Sequence, residues 1–239
     1  MILSVIGGVH LENLNIMVVR KGENDQPIVL AISKGRILEE ALDLLGKISI
    51  KIIDHSKNSR KLALNTNRED IRLLVVRAVD VPTYVEYGAA DMGITGKDVL
   101  MEHDSQDYYE ILDLGISKCR LMVATAVGSK HSNLRPKVAT KYPKTATAFF
   151  ESKGLQAEII RLSGSMELAP SFGLADQIVD LVDTGGTLRA NGLEPTELIC
   201  EISSYLIVNK ASMKVNYARV KEIIDSFEDV MGAGCGKVH

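Results

Sequence analysis

The sequence predicts an α/β fold of two lobes joined by a pair of crossing strands, with a ligand cleft between them. Three observations predict it. Short apolar runs alternate with amphipathic stretches from Ile28 onward, as strand–helix units do. Two long extended segments, Ile111 to Val123 and Leu198 to Asn209, lack a helix signal and flank an inner α/β series. Finally, loops rich in Gly, Ser and Thr recur at strand ends, where α/β sheets gather ligands.

The elements follow in order. Ile28 to Ile32 is a continuous apolar run, then Ser33-Lys34-Gly35-Arg36 intervenes before an amphipathic stretch from Ile37 to Leu45: strand, loop, helix. Leu62 to Leu64 and Ile71 to Val76 read as strands, and Val81 to Tyr87 as a short helix with Pro82 in its first turn. Asp91 to Thr95 is a strand ending at Gly96, and Lys97 to His103 is helical. After the first extended segment come a strand (Lys137 to Thr140), a helix (Thr145 to Lys153), a strand (Ala157 to Leu162), a helix (Ser165 to Ala175) and a strand (Ile178 to Val182). Val215 to Phe227 is an amphipathic helix, and the Gly-rich string beyond it a frayed tail. Strands alternating with helices imply parallel pairing.

Composition excludes several classes. With 46% hydrophobic and 25% charged residues, no Trp and four Phe, the chain is an ordinary globular one with an aliphatic core. Apolar runs fall short of the roughly 18 residues that span a membrane. A net charge of −3 argues against a nucleic-acid binder, so an anionic ligand must be met by local positive charge. Cys119, Cys200 and Cys235 have no CxxC spacing and read as reduced thiols in a cytoplasmic protein. The five histidines form no HxxxH or HExxH pair, so no metal site is expected from them. GxSxG, GxxxxGK[ST] and GxGxxG are all absent, which disfavours an α/β-hydrolase, a Walker-type NTPase and a Rossmann dehydrogenase. Residues 1–26 read as an extension without the basic start or cleavage site of a signal peptide.

The strongest motif is Ile178 to Gly192, IVDLVDTGGTLRANG. Gly185 and Gly186 let the backbone turn its N–H groups inward, and Thr184 and Thr187 add hydroxyl donors, so an anion can be gripped without a cation. A helix starting at Leu188 would add its dipole. Asp180 and Asp183 suit ribose hydroxyls, or a magnesium ion carried on phosphates. The same string is equally compatible with a plain turn. Ser33, Lys34, Gly35 and Arg36 form a second candidate phosphate site, or else a helix start with solvated charges. Ser59-Arg60-Lys61 offers an arginine for a second phosphate or a departing diphosphate. Glu86 with Tyr87, then Thr95, Gly96, Lys97 and Asp98, and Ser163 to Glu167 form further loops of this kind. Together they suit a ligand with several phosphates and hydroxyls.

The strings SKGRILEE (Ser33 to Glu40), SRKL (Ser59 to Leu62), VRAVDVPTYVEYGAADMGITGKDVL (Val76 to Leu100), LDLGISKCRLMVA (Leu112 to Ala124), GSMELAP (Gly164 to Pro170) and DLVDTGGTLRANGL (Asp180 to Leu193) closely resemble the ATP phosphoribosyltransferases. The similarity runs from about Ile28 to Phe227 and consists of several ordered motifs. It implies a two-lobed fold like that of the type II periplasmic binding proteins. It implies condensation of ATP with 5-phosphoribosyl 1-diphosphate to N1-(5-phosphoribosyl)-ATP and diphosphate, the first step of histidine biosynthesis, with Mg2+. Only about thirty residues follow Asn209, too few for a further domain. The chain therefore resembles the short form, which works as a homodimer with a regulatory subunit resembling histidyl-tRNA synthetase. Carried onto this sequence, the resemblance implies Arg36 and Arg60 at the leaving diphosphate, and Asp180 and Asp183 at the ribose hydroxyls or the metal. It implies Thr184, Gly185, Gly186, Thr187 and Leu188 at the 5-phosphate, and Ser33, Lys34, Gly35, Thr95, Gly96 and Asp98 at ATP. The ATP side is then 27–115 with 203–229, the phosphoribosyl side 116–202, and 230–239 a flexible tail. TGG stands where many short forms carry TGN, which removes one side chain and leaves the backbone cradle. A type I phosphoribosyltransferase shares only the acidic Thr-Gly loop, and SKGR and GSMELAP disfavour it. A solute-binding protein of the same fold is the rival from another class.

Overall fold

The computed structural model describes residues 26–53, 61–105, 107–129 and 135–234. The chain first lays down β1 (Ile28–Ser33), α1 (Arg36–Lys47), β2 (Ala63–Asn65), β3 (Ile71–Val76), α2 (Val81–Glu86), β4 (Met92–Gly96), α3 (Lys97–Glu102) and β5 (Tyr108–Asp113). It crosses at 114–118 into β6 (Cys119–Ala126), β7 (Lys137–Thr140), α4 (Pro143–Ser152), β8 (Glu158–Arg161), β9 (Gln177–Val182), α5 (Gly186–Ala190) and β10 (Leu193–Ile202). A single residue, Ser203, leads back into β11 (Ser204–Asn209), followed by α6 (Lys210–Val215) and α7 (Tyr217–Gly234).

Two sheets result, in the orders β2-β3-β1-β4-β11-β5 and β10-β6-β9-β7-β8. Each is mixed rather than all parallel. β1 runs parallel to β3 and β4, and β2 pairs antiparallel with β3 across the short connection at 66–70, whereas β11 pairs antiparallel with both β4 and β5 because it re-enters the first sheet from the second lobe. β6 pairs antiparallel with both β9 and β10, and β7 parallel with β8 and β9.

The run IVLAI is continuous because both faces of β1 are covered. Leu30 and Ile32 pack with Ala41, Leu44 and Leu45 of α1 and with Ile223 and Phe227 of α7, while Ala31 faces Val81 and Val85 of α2. In the second lobe Ile178 and Val182 of β9 face Met166 and Leu188, and Val179 faces Ala146 and Phe150 of α4. Among the described residues no helix is long and apolar enough to cross a membrane.

Two helix expectations change. Ser165 to Ala175 forms only a 3-10 turn at Met166–Leu168, since Ser165 sits at φ 54, Gly173 at φ 68 and Pro170 interrupts the donors. The terminal helix, in contrast, continues to Gly234, so the expected tail from residue 230 is helical as far as 234, and 235–239 lie outside the described residues.

Candidate active site between the lobes

The carboxyl ends of β1 and β4 from one lobe, and of β7 and β9 from the other, converge on the cleft. After β1 the chain takes Gly35 through φ 89, ψ −146, a region open essentially only to glycine, and this tight exit starts α1 at Arg36. The Arg36 guanidinium donates to the Asp183 carboxylate at 2.5 Å, across the cleft, and to the carbonyls of Ser117 (3.1 Å) and Lys118 (3.3 Å). One turn further along α1, Glu40 accepts the Ser117 N–H at 2.7 Å and its hydroxyl at 3.2 Å. Ser117 lies at φ 51, so this pair holds a strained point of the first crossing segment.

The loop after β9 turns at Gly185, φ 74, directly into α5. The helix begins at Gly186, two residues ahead of the Leu188 start that the sequence suggested, which places Gly186 and Thr187 in its first turn where N–H groups are unpaired. Asp183, Thr184, Gly186 and Thr187 are exposed, and Leu188 is buried in the second lobe's core, so only its backbone can meet a ligand. Asp180 is half-buried beneath this loop, its carboxylate accepting the Leu181 N–H at 2.8 Å. Burial pushes its carboxyl above the ordinary range, with Glu167 and Asp98 nearby acting in the same direction and Lys141 against them.

The loop after β4 is tightly packed. Asp98 is buried and accepts the Tyr142 hydroxyl at 3.0 Å from the second lobe, and a Cβ at Gly96 would strike its carboxylate, at 2.1 Å. Burial and that neighbouring carboxylate raise the Tyr142 phenol well above its usual range, so it stays a donor. Beside the pair lies a cavity of about 250 Å³ whose lining includes Val79, Val99, Lys141 and Arg161. A cavity of similar size, about 260 Å³, lies between Pro27, Asp91 and Asn209 at the opposite strand ends and holds none of the predicted residues.

The structure therefore brings Arg36 to Asp183, and Asp98 to Tyr142. Ser33 and Thr95 are buried, with the Thr95 hydroxyl donating to the Ala78 carbonyl at 3.1 Å, while Lys34 and Gly35 are exposed at the rim. Glu86 and Tyr87 do not line the cavity beside Asp98 and Tyr142 themselves, although His103, the partner of Glu86, does. Asn209, at the end of β11, donates to the Val85 and Glu86 carbonyls, and Glu86 pairs with His103 at 2.9 Å. Ser59 and Arg60 lie outside the described residues. Lys141, Tyr142 and Arg161 were missed, although Lys141-Tyr142-Pro143 carries the same signal as the other loops, a polar pair between a strand end and a helix opened by proline. Among the described residues no group of three or more His, Cys, Asp or Glu could hold a metal alone.

A family model described as HisG: ATP phosphoribosyltransferase matches residues 77–229. The ATP phosphoribosyltransferase of Pseudomonas syringae pv. syringae is 56% identical over 199 residues, covering 83% of this chain and 94% of its own. Among solved structures, the ATP phosphoribosyl transferase (HisG:HisZ) complex from Thermotoga maritima superposes with a TM-score of 0.74 at 33% identity, over 86% of this chain and 99% of that one. An arginine transport system periplasmic binding protein from Legionella pneumophila shares the fold alone, with a TM-score of 0.53 at 11% identity, over 87% of this chain and 95% of its own.

Proposed function

This chain belongs to the ATP phosphoribosyltransferase family, and from that membership we propose how its cleft divides the work. The chain condenses ATP with 5-phosphoribosyl 1-diphosphate, giving N1-(5-phosphoribosyl)-ATP and diphosphate, the first step of L-histidine biosynthesis. Adenine N1 is already a free nucleophile, so no protein base has to generate it. Charge separates instead, with an oxocarbenium-like ribose on one side and a growing anion on the departing diphosphate on the other. Catalysis is then mostly positioning and electrostatic stabilisation.

We assign Arg36, with Arg60, to the leaving diphosphate, and the loop from Thr184 to Leu188 to the 5-phosphate, which meets exposed N–H groups and hydroxyls at the start of α5. Asp183 and Asp180 accept from the ribose hydroxyls. ATP lies against the first lobe at Ser33, Lys34, Gly35, Thr95, Gly96 and Asp98. Thr95 contributes backbone there, since its hydroxyl is already spent, and Lys141 and Arg161 on the cavity wall face the triphosphate. Residues 27–115 with 203–229 are thus the ATP side, and 116–202 the phosphoribosyl side. The observation that carries this reading is the Arg36–Asp183 contact: the groups assigned to the leaving diphosphate and to the sugar come from opposite lobes and meet across the cleft, as one phosphoribosyl diphosphate spanning it would need.

Mg2+ fits this donor set as an ion carried by substrate phosphates. Asp183 is an exposed carboxylate oxygen donor of the hard type Mg2+ prefers, and one such group besides phosphates and water is its common arrangement. Bound there, the ion would neutralise charge on the diphosphate. The protein's own part is to orient the sugar through Asp180 and Asp183 and the diphosphate through its arginines. We further assign the chain to a cytoplasmic homodimer that assembles with a regulatory subunit like histidyl-tRNA synthetase. The Thermotoga complex supports the two-subunit assembly, and the free thiols of Cys119 and Cys200 support the compartment.

The test is an absorbance assay of phosphoribosyl-ATP formation with purified chain, both substrates and magnesium, with and without the partner subunit. Product in the complete mixture is expected, and none with the partner present would overturn the reading. Strong inhibition by histidine of the chain without its partner would overturn the two-subunit assignment.

A further inference from the structure

The lobes meet at a second place, along helix α3. Asp98 and Glu102 stand one turn apart on α3, so both side chains project from the same face of that helix. Asp98 takes the Tyr142 hydroxyl, as described. Glu102 reaches the first turn of α4, in the other lobe: one carboxylate oxygen accepts the Thr145 N–H at 2.9 Å and its hydroxyl at 2.7 Å, and the other accepts the Lys144 N–H at 3.1 Å. Lys144 answers by donating its ammonium to the Glu102 carbonyl at 2.6 Å and pairing with Asp104 at 2.5 Å.

Helix α4 has no side-chain cap from its own N-cap residue, Tyr142. The first N–H groups of a helix need acceptors and favour negative charge, and here the acceptor comes from the opposite lobe. Both Glu102 oxygens are occupied in this way, which leaves it no natural part as a substrate contact. At its other end α3 is tied to the crossing point, since the Lys97 N–H donates to the Ser203 carbonyl at 2.9 Å. Helix α3 is therefore a short strut running from the crossing strand to the far lobe, and its face lines the same cavity as Lys141 and Arg161.

We propose that Glu102 is a positioning residue: by capping α4 from the first lobe it fixes the closure at which the ATP side and the phosphoribosyl side are held for transfer. The Arg36–Asp183 contact joins groups that substrates must engage, so it is exchanged in each turnover. The Glu102 cap is not, and it acts as a third pivot beside the two crossing strands. A small change in lobe angle moves N1 relative to the anomeric carbon, and reactions of this kind lose about a hundredfold for a misplacement of about 1 Å.

The inference rests on the proposed cleft, and its two readouts fail separately from that reading. Full-length Glu102→Ala and Glu102→Gln are assayed with both substrates, magnesium and the partner subunit, and examined by small-angle X-ray scattering. Glu102→Ala is expected to broaden the scattering envelope and to lower kcat by about ten- to a hundredfold, with both KM values within about threefold. Glu102→Gln, which keeps an oxygen for the Thr145 group, restores most of the compactness and part of kcat. A purely structural cap would lower the melting temperature of Glu102→Ala and leave kcat below that temperature within twofold of wild type, and this would overturn the proposal. So would an envelope unchanged in both variants. Wild-type turnover in the same assay tests the activity itself.

Discussion

Arg36 and Asp183, from opposite lobes, meet at 2.5 Å, while about half of each side chain stays accessible to water (45% and 59%). An ion pair so open to solvent contributes about 0–1 kcal/mol to stability. Its value therefore lies in what each partner does when the pair separates.

Asp183→Asn should change the melting temperature little, by no more than a loss of about 1 kcal/mol produces. It should lower kcat/KM for phosphoribosyl diphosphate by about a hundredfold, close to 2.7 kcal/mol of transition-state stabilisation. Steady-state kinetics with phosphoribosyl diphosphate varied check this, and an unchanged KM and rate would remove Asp183 from the sugar site.

Arg60→Ala should depress turnover by a hundredfold or so while ATP affinity, measured by calorimetry, shifts by less than about threefold. Equal losses in both would reduce Arg60 to a binding residue.

Asp180→Asn separates stability from activity. Burial raises this carboxyl, so its favourable contribution to folding is complete below the unfolded value and lost as pH rises through the folded one; at neutral pH the ionised group is a cost. The amide should therefore raise the melting temperature at pH 7 and narrow the gap to wild type near pH 4, while use of phosphoribosyl diphosphate falls. A lower melting temperature at pH 7 would count against a desolvated carboxylate here.

The last prediction concerns acid. Arg68 grips Asp70 through two bonds, 3.0 and 2.8 Å, and reaches Glu222 of α7 at 2.7 Å, tying the turn before β3 to the terminal helix. The Arg68 hydrogen bonds hold the Asp70 carboxyl below its usual range, so the stability it adds is present above about pH 4, the unfolded value, and disappears as pH falls through the folded one. Asp70→Asn should lower neutral stability by up to about 1 kcal/mol, since the pair is partly exposed, and flatten the loss of stability below pH 4. Denaturant titrations at pH 7 and pH 3 measure both effects.

Strand-end loops were legible in the sequence because their signals are local. Ser33 to Arg36, Thr95 to Asp98 and Asp183 to Thr187 each combine an apolar run with Gly and a hydroxyl or charge, and β3 is bounded by its own pattern at Ile71 and Val76. The extended segment from Ile111 read as one piece, because the break at 114–118 depends on Gly115 at φ 60 and Ser117 at φ 51, and a serine in that conformation has no composition signal. Pairings between lobes were illegible for a deeper reason. Arg36 meets Asp183, and Glu102 meets Thr145, through a fold that one sequence does not register, so Glu102 read as an ordinary residue near a helix end.

The return of β11 between β4 and β5 has a consequence for how the chain is made. Leu206 pairs with Ile94 on one side and Leu112 on the other, so the first sheet stays divided until the ribosome has synthesised everything between. The lobe that begins first is thus completed last. The inserted lobe, whose strands all come from one uninterrupted stretch of chain, has all its partners in hand earlier and can serve as the folded end onto which its elder neighbour closes.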